Sequence, residues 1–146
     1  MLTDLKTLGA LLATSCLALA SSALHAAAPA SIEGRWLTDD GKGVVTIAPC
    51  GPHLCGTIAE VLAAGPDTPR TDVNNADPRM RAQPLVGLRT LWGFTRDGDA
   101  WTGGRAYDPQ SGKSYRSTLA LEPDGSLKVT GCVLFVFESR RWTRVR

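Results

Sequence analysis

The hairpin pattern of residues 101–121 constrains the fold of this chain more than any other stretch. Two strand-like segments flank a turn in which Pro109 sets φ and Gly112 accepts a positive φ. Polar and larger side chains alternate along the second segment, and one face carries Tyr115, Ser117, Leu119 and Leu121. The pattern therefore predicts two antiparallel strands joined by a tight turn.

Two adjacent glycines, Gly103 and Gly104, interrupt the first strand of this hairpin. Because glycine has no side chain to pack, such a pair marks a sharp bend, a bulge or a close approach to the backbone. A bend of this kind allows a sheet to curl into a barrel. The candidate ligand contacts are the glycines and the aromatic residues around them, namely Trp101, Gly103, Gly104, Tyr107 and Tyr115.

Further strand-like segments precede and follow the hairpin. They cover residues 31–38, 44–49, 56–62, 88–94, 127–137 and 140–145, and Gly131 is expected to divide the fifth of them. About eight short strands with almost no helix indicate an all-β fold, either an antiparallel barrel or a sandwich. Residues 31–146 are expected to form this single domain.

A long connection at residues 63–85 breaks the strand pattern with four prolines and a polar cluster. Asp77 is placed to cap one helical turn over residues 78–82, since Pro78 then takes the favoured first position. A loop of this length in a small domain is usually functional or a lid.

The first 26 residues are typical of a signal peptide. Lys6 precedes an apolar run over residues 8–24, and small residues around Ala26 suit signal peptidase. The run is short for a membrane span, and residues 13–15 make a poor lipobox before the lipoprotein alternative, Cys16. We expect cleavage after Ala26 and a periplasmic or secreted protein without a membrane span.

Export leaves three cysteines in an oxidising compartment. Cys50 and Cys55 flank a turn of four residues, so their Cβ atoms can face each other across a hairpin at bonding distance. We expect a disulfide between them, and Cys132 as a buried small apolar residue. A zinc site that includes His53 is less favoured, since the cysteine spacing is wider than usual.

The composition and the motifs argue against several function classes. A formal net charge of +2 is too small for a nucleic-acid surface. No Gly-x-Ser-x-Gly motif is present, and no nucleophile is paired with a base, so we expect no catalysis and no cofactor. Residues 72–77 carry oxygen ligands, but Ala76 and Gln83 fall where a calcium loop needs ligands, so no metal site is predicted.

The two ends of the predicted domain resemble lipocalin-like barrels. In such barrels a Gly-x-Trp motif opens the first strand, and an arginine near the last strand stacks over the tryptophan. Here the matching residues are Gly34, Trp36 and one of three arginines, Arg140, Arg141 or Arg144. A cation–π contact of this kind closes the floor of the barrel.

Several further motifs, taken in order, resemble one family. They are residues 36–42 (WLTDDGK), 47–50 (IAPC), 54–56 (LCG), 74–78 (NNADP), 98–115 (GDAWTGGRAYDPQSGKSY) and 142–144 (WTR). The family is that of bacterial exported proteins grouped as domain of unknown function 2147. The resemblance implies an exported, lipocalin-like, up-and-down barrel of undetermined activity, and the Trp-Thr-Arg ending favours Arg144 as the stacking residue.

Two functions stay open at this point. The first is a barrel that binds a small apolar or amphipathic molecule. The alternative is an envelope protein–protein interaction or structural module whose barrel is filled by its own side chains. The interior separates them, since an apolar cavity favours binding and a filled barrel favours interaction.

Overall fold

The computed structural model describes residues 30–146, which form a closed antiparallel β-barrel. Each strand pairs with the next, and the last pairs with the first, so the predicted all-β up-and-down barrel is confirmed. The strands are β1 (Gly34–Leu37), β2 (Gly43–Cys50), β3 (His53–Val61), β4 (Arg89–Asp97), β5 (Ala100–Asp108), β6 (Lys113–Leu121), β7 (Leu127–Val133) and β8 (Val136–Val145). The predicted signal peptide, residues 1–26, lies outside the described residues.

Because successive strands run in opposite directions, their connections alternate between two ends of the barrel. One end, which we call the loop end, carries the connections 38–42, 62–88, 109–112 and 134–135. The other, which we call the clasp end, carries the entering segment 30–33 and the turns 51–52, 98–99 and 122–126. Within the described part of the chain, no helix is long and apolar enough to span a membrane.

The barrel core consists of large apolar side chains that alternate along the strands with outward-facing residues. On β5 to β8 its members lie in the half nearest the clasp end. The cluster comprises Ile32, Trp36, Val45, Ile47, Leu91, Phe94, Trp101, Leu119, Leu127, Val129 and Trp142. That half of the barrel is therefore filled by its own side chains.

The Gly103–Gly104 pair forms the predicted bend. The pairing of β5 with β6 shifts register between Trp101 and Gly104, and Gly103 has a φ of +74°. A Cβ atom on Gly104 would lie 2.5 Å from the ring of Phe94, so the absence of a side chain there makes room for a core residue. The bend thus serves packing inside the barrel.

The long loop contains the predicted helical turn, in shortened form. It is a 3-10 turn over Pro78–Met80, and the Asp77 carboxylate accepts a hydrogen bond from the Arg79 N–H at 3.0 Å. The prediction of a capped turn that begins at Pro78 is confirmed, although the turn ends before the expected residue 82.

The prediction that Gly131 divides residues 127–137 is wrong. Gly131 lies within β7 and pairs with Glu138 of β8. The chain reverses instead at Leu134 and Phe135, whose φ values are +46° and +72°. As a result β8 begins at Val136 and is ten residues long, whereas the sequence pattern placed the closing strand at residues 140–145.

Candidate functional site

The clasp end is closed by a tryptophan and an arginine from opposite ends of the barrel sequence. The Trp36 side chain is fully buried, and its Nε1 donates a hydrogen bond to the Ile32 carbonyl at 2.8 Å. The guanidinium carbon of Arg144 lies 4.2 Å from the centre of the Trp36 ring, within the range of a cation–π contact. Pairing of β1 with β8 places the two residues opposite each other.

Arg144 also ties down the segment that enters the barrel. Its two terminal nitrogens donate hydrogen bonds to the carbonyls of Glu33 and Ser31, each at 2.8 Å. Gly34 leaves the space for this contact, because a Cβ atom there would lie 2.9 Å from Nη1 of Arg144 and the backbone φ is +126°. The structure therefore brings together Gly34, Trp36 and Arg144, which the sequence had singled out.

The other two candidate arginines lie elsewhere. Arg140 faces Asp39 with a nitrogen–oxygen distance of 3.1 Å, and Arg141 faces Asp124 at 2.9 Å. Alternation along β8 explains the position of Arg141, because neighbouring residues of a strand point to opposite faces. Arg140 shares the face of Arg144 but lies four residues nearer the loop end, whereas Trp36 pairs with Arg144.

A second arginine–tryptophan stack at the clasp end was missed from the sequence. The guanidinium carbon of Arg96 lies 5.0 Å from the centre of the Trp101 ring, and Arg96 Nε donates to the Gly98 carbonyl at 3.0 Å. The two residues pair directly across the β4–β5 hairpin. The sequence did contain a signal for this stack, because the turn residues Asp97, Gly98 and Asp99 predict a hairpin that brings Arg96 close to Trp101.

The predicted disulfide is confirmed. Cys50 and Cys55 are bonded, with their Cα atoms 5.7 Å apart, across the turn between β2 and β3. Cys132 is a free, half-buried cysteine that points outward from β7, so the prediction that it is buried is wrong. Within residues 30–146, no group of histidine, cysteine, aspartate and glutamate side chains could hold a metal ion.

The candidate ligand contacts are dispersed over the barrel. Trp101 is only 5% exposed and belongs to the core, and Gly104 is covered by Phe94. Gly103 lies at the surface bulge, and Tyr107 points to the outer face of β5. Tyr115 alone of the five lies on the inner face towards the loop end, where its partner across the hairpin is Ala106. The binding role of these residues stays a prediction.

The long loop is anchored to the outer face of the barrel through a buried carboxylate that the sequence did not reveal. Asp72 is 0% exposed, and its oxygens accept hydrogen bonds from the Tyr107 hydroxyl at 2.7 Å and from the Asn75 amide at 2.6 Å. Burial raises the pKa of Tyr107, and the hydrogen bond to Asp72 and its negative charge raise that pKa further. The phenol is therefore a protonated donor at neutral pH.

A second contact fixes the same loop to the β5–β6 turn. The amide nitrogen of Asn74 donates to the carbonyls of Pro109 and Gln110, each at 3.1 Å. Gly112 makes this approach possible, since a Cβ atom there would overlap the Asn74 carbonyl oxygen. Both contacts hold the loop against the outside of the barrel.

The inner face differs between the two halves of β8. Trp142 is 9% exposed within the core, and the same face continues through Arg140 and Glu138, whose side chains are 61% and 62% exposed. Small residues line the neighbouring strands at this level, since Gly131 pairs with Glu138 and with Ser117. We call this surface the upper wall, defined by Tyr115, Ser117, Gly131, Glu138 and Arg140.

The upper wall is accessible because β1 is short. Only Thr143, Arg144 and Val145 of β8 pair with β1, so the part of β8 nearer the loop end pairs with β7 alone. Two separate surface clefts, of about 380 Å³ and about 480 Å³, lie at the clasp end, beside Arg144 and Trp101 respectively. They lie outside the barrel.

Comparison with known proteins identifies both a family and a fold. A family described as "Uncharacterized protein conserved in bacteria (DUF2147)" matches residues 34–144. Among solved structures, protein HP1028 from Helicobacter pylori, described as belonging to the lipocalin family, aligns with a TM-score of 0.70 at 18% identity, over 80% of this chain and 84% of that one. At this identity the likeness shows the fold, which confirms the lipocalin-like barrel. No curated protein matches significantly.

Proposed function

We propose that this chain, which belongs to the DUF2147 family of bacterial proteins, is an exported lipocalin-like protein that binds a small amphipathic molecule at its upper wall. Its motifs predicted this membership, and the family match over residues 34–144 confirms it. The Cys50–Cys55 disulfide supports export, because disulfides persist in oxidising compartments.

One observation carries the proposal. The face of β8 that packs into the core at Trp142 becomes open to solvent at Arg140 and Glu138. Small barrels of this size are either filled by side chains or hold one small ligand. Here the half near the clasp end is filled, and the upper wall is the part of the inner surface that a ligand can reach.

The chemistry of the upper wall suits a molecule with an apolar body and an anionic group. Tyr115 and Ala106 offer an apolar surface beside Ser117, which is only 5% exposed. Arg140 supplies a guanidinium group, which recognises carboxylate or phosphate groups through paired hydrogen bonds. Asp39 pairs with that group and raises the pKa of Arg140.

The first test uses protein purified from the periplasm and native mass spectrometry. A co-purified small molecule of defined mass supports the proposal. Sequencing of the amino terminus in the same sample tests export, with an expected start between Ala27 and Ser31. A start at Met1 or a lipidated Cys16 contradicts export.

The second test uses anilinonaphthalene sulfonate, an anionic amphiphile, in a fluorescence titration. Arg140→Ala is expected to weaken its binding about fivefold to tenfold, as the loss of one charge-assisted hydrogen bond implies. Arg141→Ala is the matched control, because Arg141 also pairs with an aspartate but points outward from the same strand. Equal effects of the two substitutions would contradict the assignment of the upper wall.

The filled half of the barrel favours a second candidate, a protein-interaction module without a ligand. Its support is the core cluster, which runs from Ile32 to Trp142 and occupies the interior near the clasp end. Absence of both a co-purified molecule and saturable probe binding would favour this second function.

A further inference from the structure

The turn between β7 and β8 exposes a continuous group of large apolar side chains, which we call the tip. The exposed fractions are 87% for Leu134, 94% for Phe135, 61% for Val136 and 73% for Phe137. Soluble proteins bury such contiguous groups unless they contact a partner or a membrane. The tip is therefore a candidate contact surface, and it lies at the loop end, beside the upper wall.

The backbone of the tip is unfavourable for the residues that occupy it. Leu134 and Phe135 both have positive φ, at +46° and +72°, in a two-residue hairpin turn. Turns of this kind favour Asn-Gly, because side chains with a bulky Cβ substituent are strained there. Strained residues of this type concentrate at functional sites. Large apolar residues at these two positions are therefore better explained by contact with another surface than by the stability of the turn.

Two cations lie on the outer face beside the tip. Phe137 pairs with Cys132, Cys132 pairs with Arg116, and Arg116 pairs with Arg105, so the four form a row across neighbouring strands. Among residues 30–146, neither Arg105 nor Arg116 is in an ion pair. The row therefore carries uncompensated positive charge.

Three acidic residues near the same end have cationic partners within the molecule. Asp39 and Glu138 face Arg140, at 3.1 Å and 3.7 Å, and Asp40 lies 4.0 Å from Lys42. The outer surface next to the tip combines exposed apolar side chains with Arg105 and Arg116, the two arginines of the row. A bilayer that contains anionic phospholipids has the complementary chemistry.

The geometry permits the tip to enter the bilayer while the arginines contact the lipid headgroups. Phe137 lies two residues behind Phe135, which corresponds to roughly 7 Å along the strand. Apolar groups of peripheral proteins enter a bilayer by about 5–10 Å, to the boundary between headgroups and acyl chains. When the tip is inserted, the Arg116 row therefore lies at the level of the lipid phosphates.

A second copy of the chain fits the same surface less well. A two-fold contact would bring identical patches together, so the Arg105 and Arg116 pairs of both copies would approach each other. We therefore propose that the tip docks onto an anionic phospholipid bilayer, with Leu134 and Phe135 inserted and Arg105 and Arg116 on the headgroups. This surface is distinct from the upper wall, and the proposal holds whether or not the barrel binds a ligand.

The test measures co-sedimentation of the exported protein with vesicles of phosphatidylcholine alone or mixed with phosphatidylglycerol. The wild type is expected to sediment with the anionic vesicles, and added salt should weaken this binding. The variant L134N/F135G is expected to lose about tenfold or more of the partitioning, while Asn-Gly keeps the turn folded. Arg116→Gln should lower it about fivefold, since it removes one headgroup contact.

The matched control is Val86→Ser, which removes a 56% exposed apolar side chain from the long loop. It should bind the vesicles like the wild type, and near-ultraviolet circular dichroism checks that each variant is folded. Failure of the wild type to sediment, or equal sedimentation of wild type and L134N/F135G, would overturn the proposal. A dimer in sedimentation velocity that L134N/F135G converts to monomer would assign the tip to a second copy instead.

Discussion

At the scale of single residues, the arginine–tryptophan stacks explain how the clasp end holds its entering segment. Arg144 binds two carbonyls on either side of Ile32, and Trp36 binds the carbonyl of Ile32 itself. Ile32 is thereby fixed at 0% exposure, where it forms part of the core. A lysine could not replace Arg144, because only a planar guanidinium can stack on the ring and donate in two directions at once.

This arrangement predicts energetic coupling between Trp36 and Arg144. Trp36→Phe and Arg144→Ala should each lower the free energy of unfolding by about 1–3 kcal/mol, and the double variant should lose less than the sum, by about 1 kcal/mol. Urea unfolding of the four proteins measures the cycle. Arg141→Ala is the control and should cost about 0.5 kcal/mol or less, since its pair with Asp124 is exposed. Strictly additive losses would show that the stack contributes no coupling.

Asp72 gives a second prediction at this scale. Tyr107→Phe removes the donor to a carboxylate oxygen that is fully buried, so the free energy of unfolding should fall by about 1–3 kcal/mol. Tyr115→Phe is the matched control, because the Tyr115 hydroxyl lies at a looser 3.4 Å from Ser111 at an exposed position. Similar losses for both variants, measured by urea unfolding, would mean that Asp72 does not depend on the phenol.

At the scale of the strands and turns, local patterns in the sequence predicted most of the fold. The alternation from Tyr115 to Leu121, the glycine pair at 103 and 104 and the cysteine spacing each reflect a local geometric requirement. The β7–β8 turn was missed because Leu134 and Phe135 carry none of the residue types that such turns favour. Gly131 misled for a different reason, since it lies inside a regular strand and pairs with Ser117 and Glu138 without a register shift.

The candidate site was less predictable, since its members meet only through the closed barrel. Asp72 lies in the long loop and Tyr107 in β5, and nothing in the sequence around either residue specifies the other. The exposure of Arg140 likewise depends on the length of β1. Because β1 ends at Leu37, which pairs with Thr143, no residue of β1 pairs with Arg140. Contacts of this kind are set by topology and strand length.

The tip gives a prediction at the scale of one element. L134N/F135G places the preferred residues at the two positive φ values and removes two exposed apolar side chains, so the free energy of unfolding should rise by about 0.5–2 kcal/mol. Urea unfolding measures the change. A loss of stability in L134N/F135G would mean that the apolar side chains support the fold.

At the scale of the whole molecule, the two ends of the barrel are held by different chemistry. Arginine stacks close the clasp end, whereas a hydrogen-bonded bridge joins two connections across the loop end. In this bridge the amide of Gln110, from the β5–β6 turn, donates to Asp40 at 2.7 Å and accepts from the Lys42 ammonium at 3.1 Å. The bridge spans connections that lie four strands apart in the barrel, so it restrains the opening beside the upper wall.

The bridge predicts a dependence of stability on pH. Burial alone would raise the pKa of Asp40, but hydrogen bonds from Thr38, from the Lys42 N–H and from Gln110 lower it below its ordinary value. Because the pKa is lower in the folded protein, the carboxylate stabilises the fold above the unfolded pKa of about 3.9, and this contribution is lost as the pH falls through the folded pKa.

Asp40→Asn should therefore be less stable than the wild type at neutral pH, and the difference should shrink as the pH falls below about 4. Urea unfolding at a series of pH values measures both profiles. Other acids with lowered pKa values, Asp77 and Asp124, are intact in the variant, so part of the acid sensitivity should persist. Gln110→Ala should change the profile in the same direction, because it removes one of the donors to Asp40. A difference between Asp40→Asn and the wild type that stays constant with pH would show that the ionised carboxylate does not hold the loop end together.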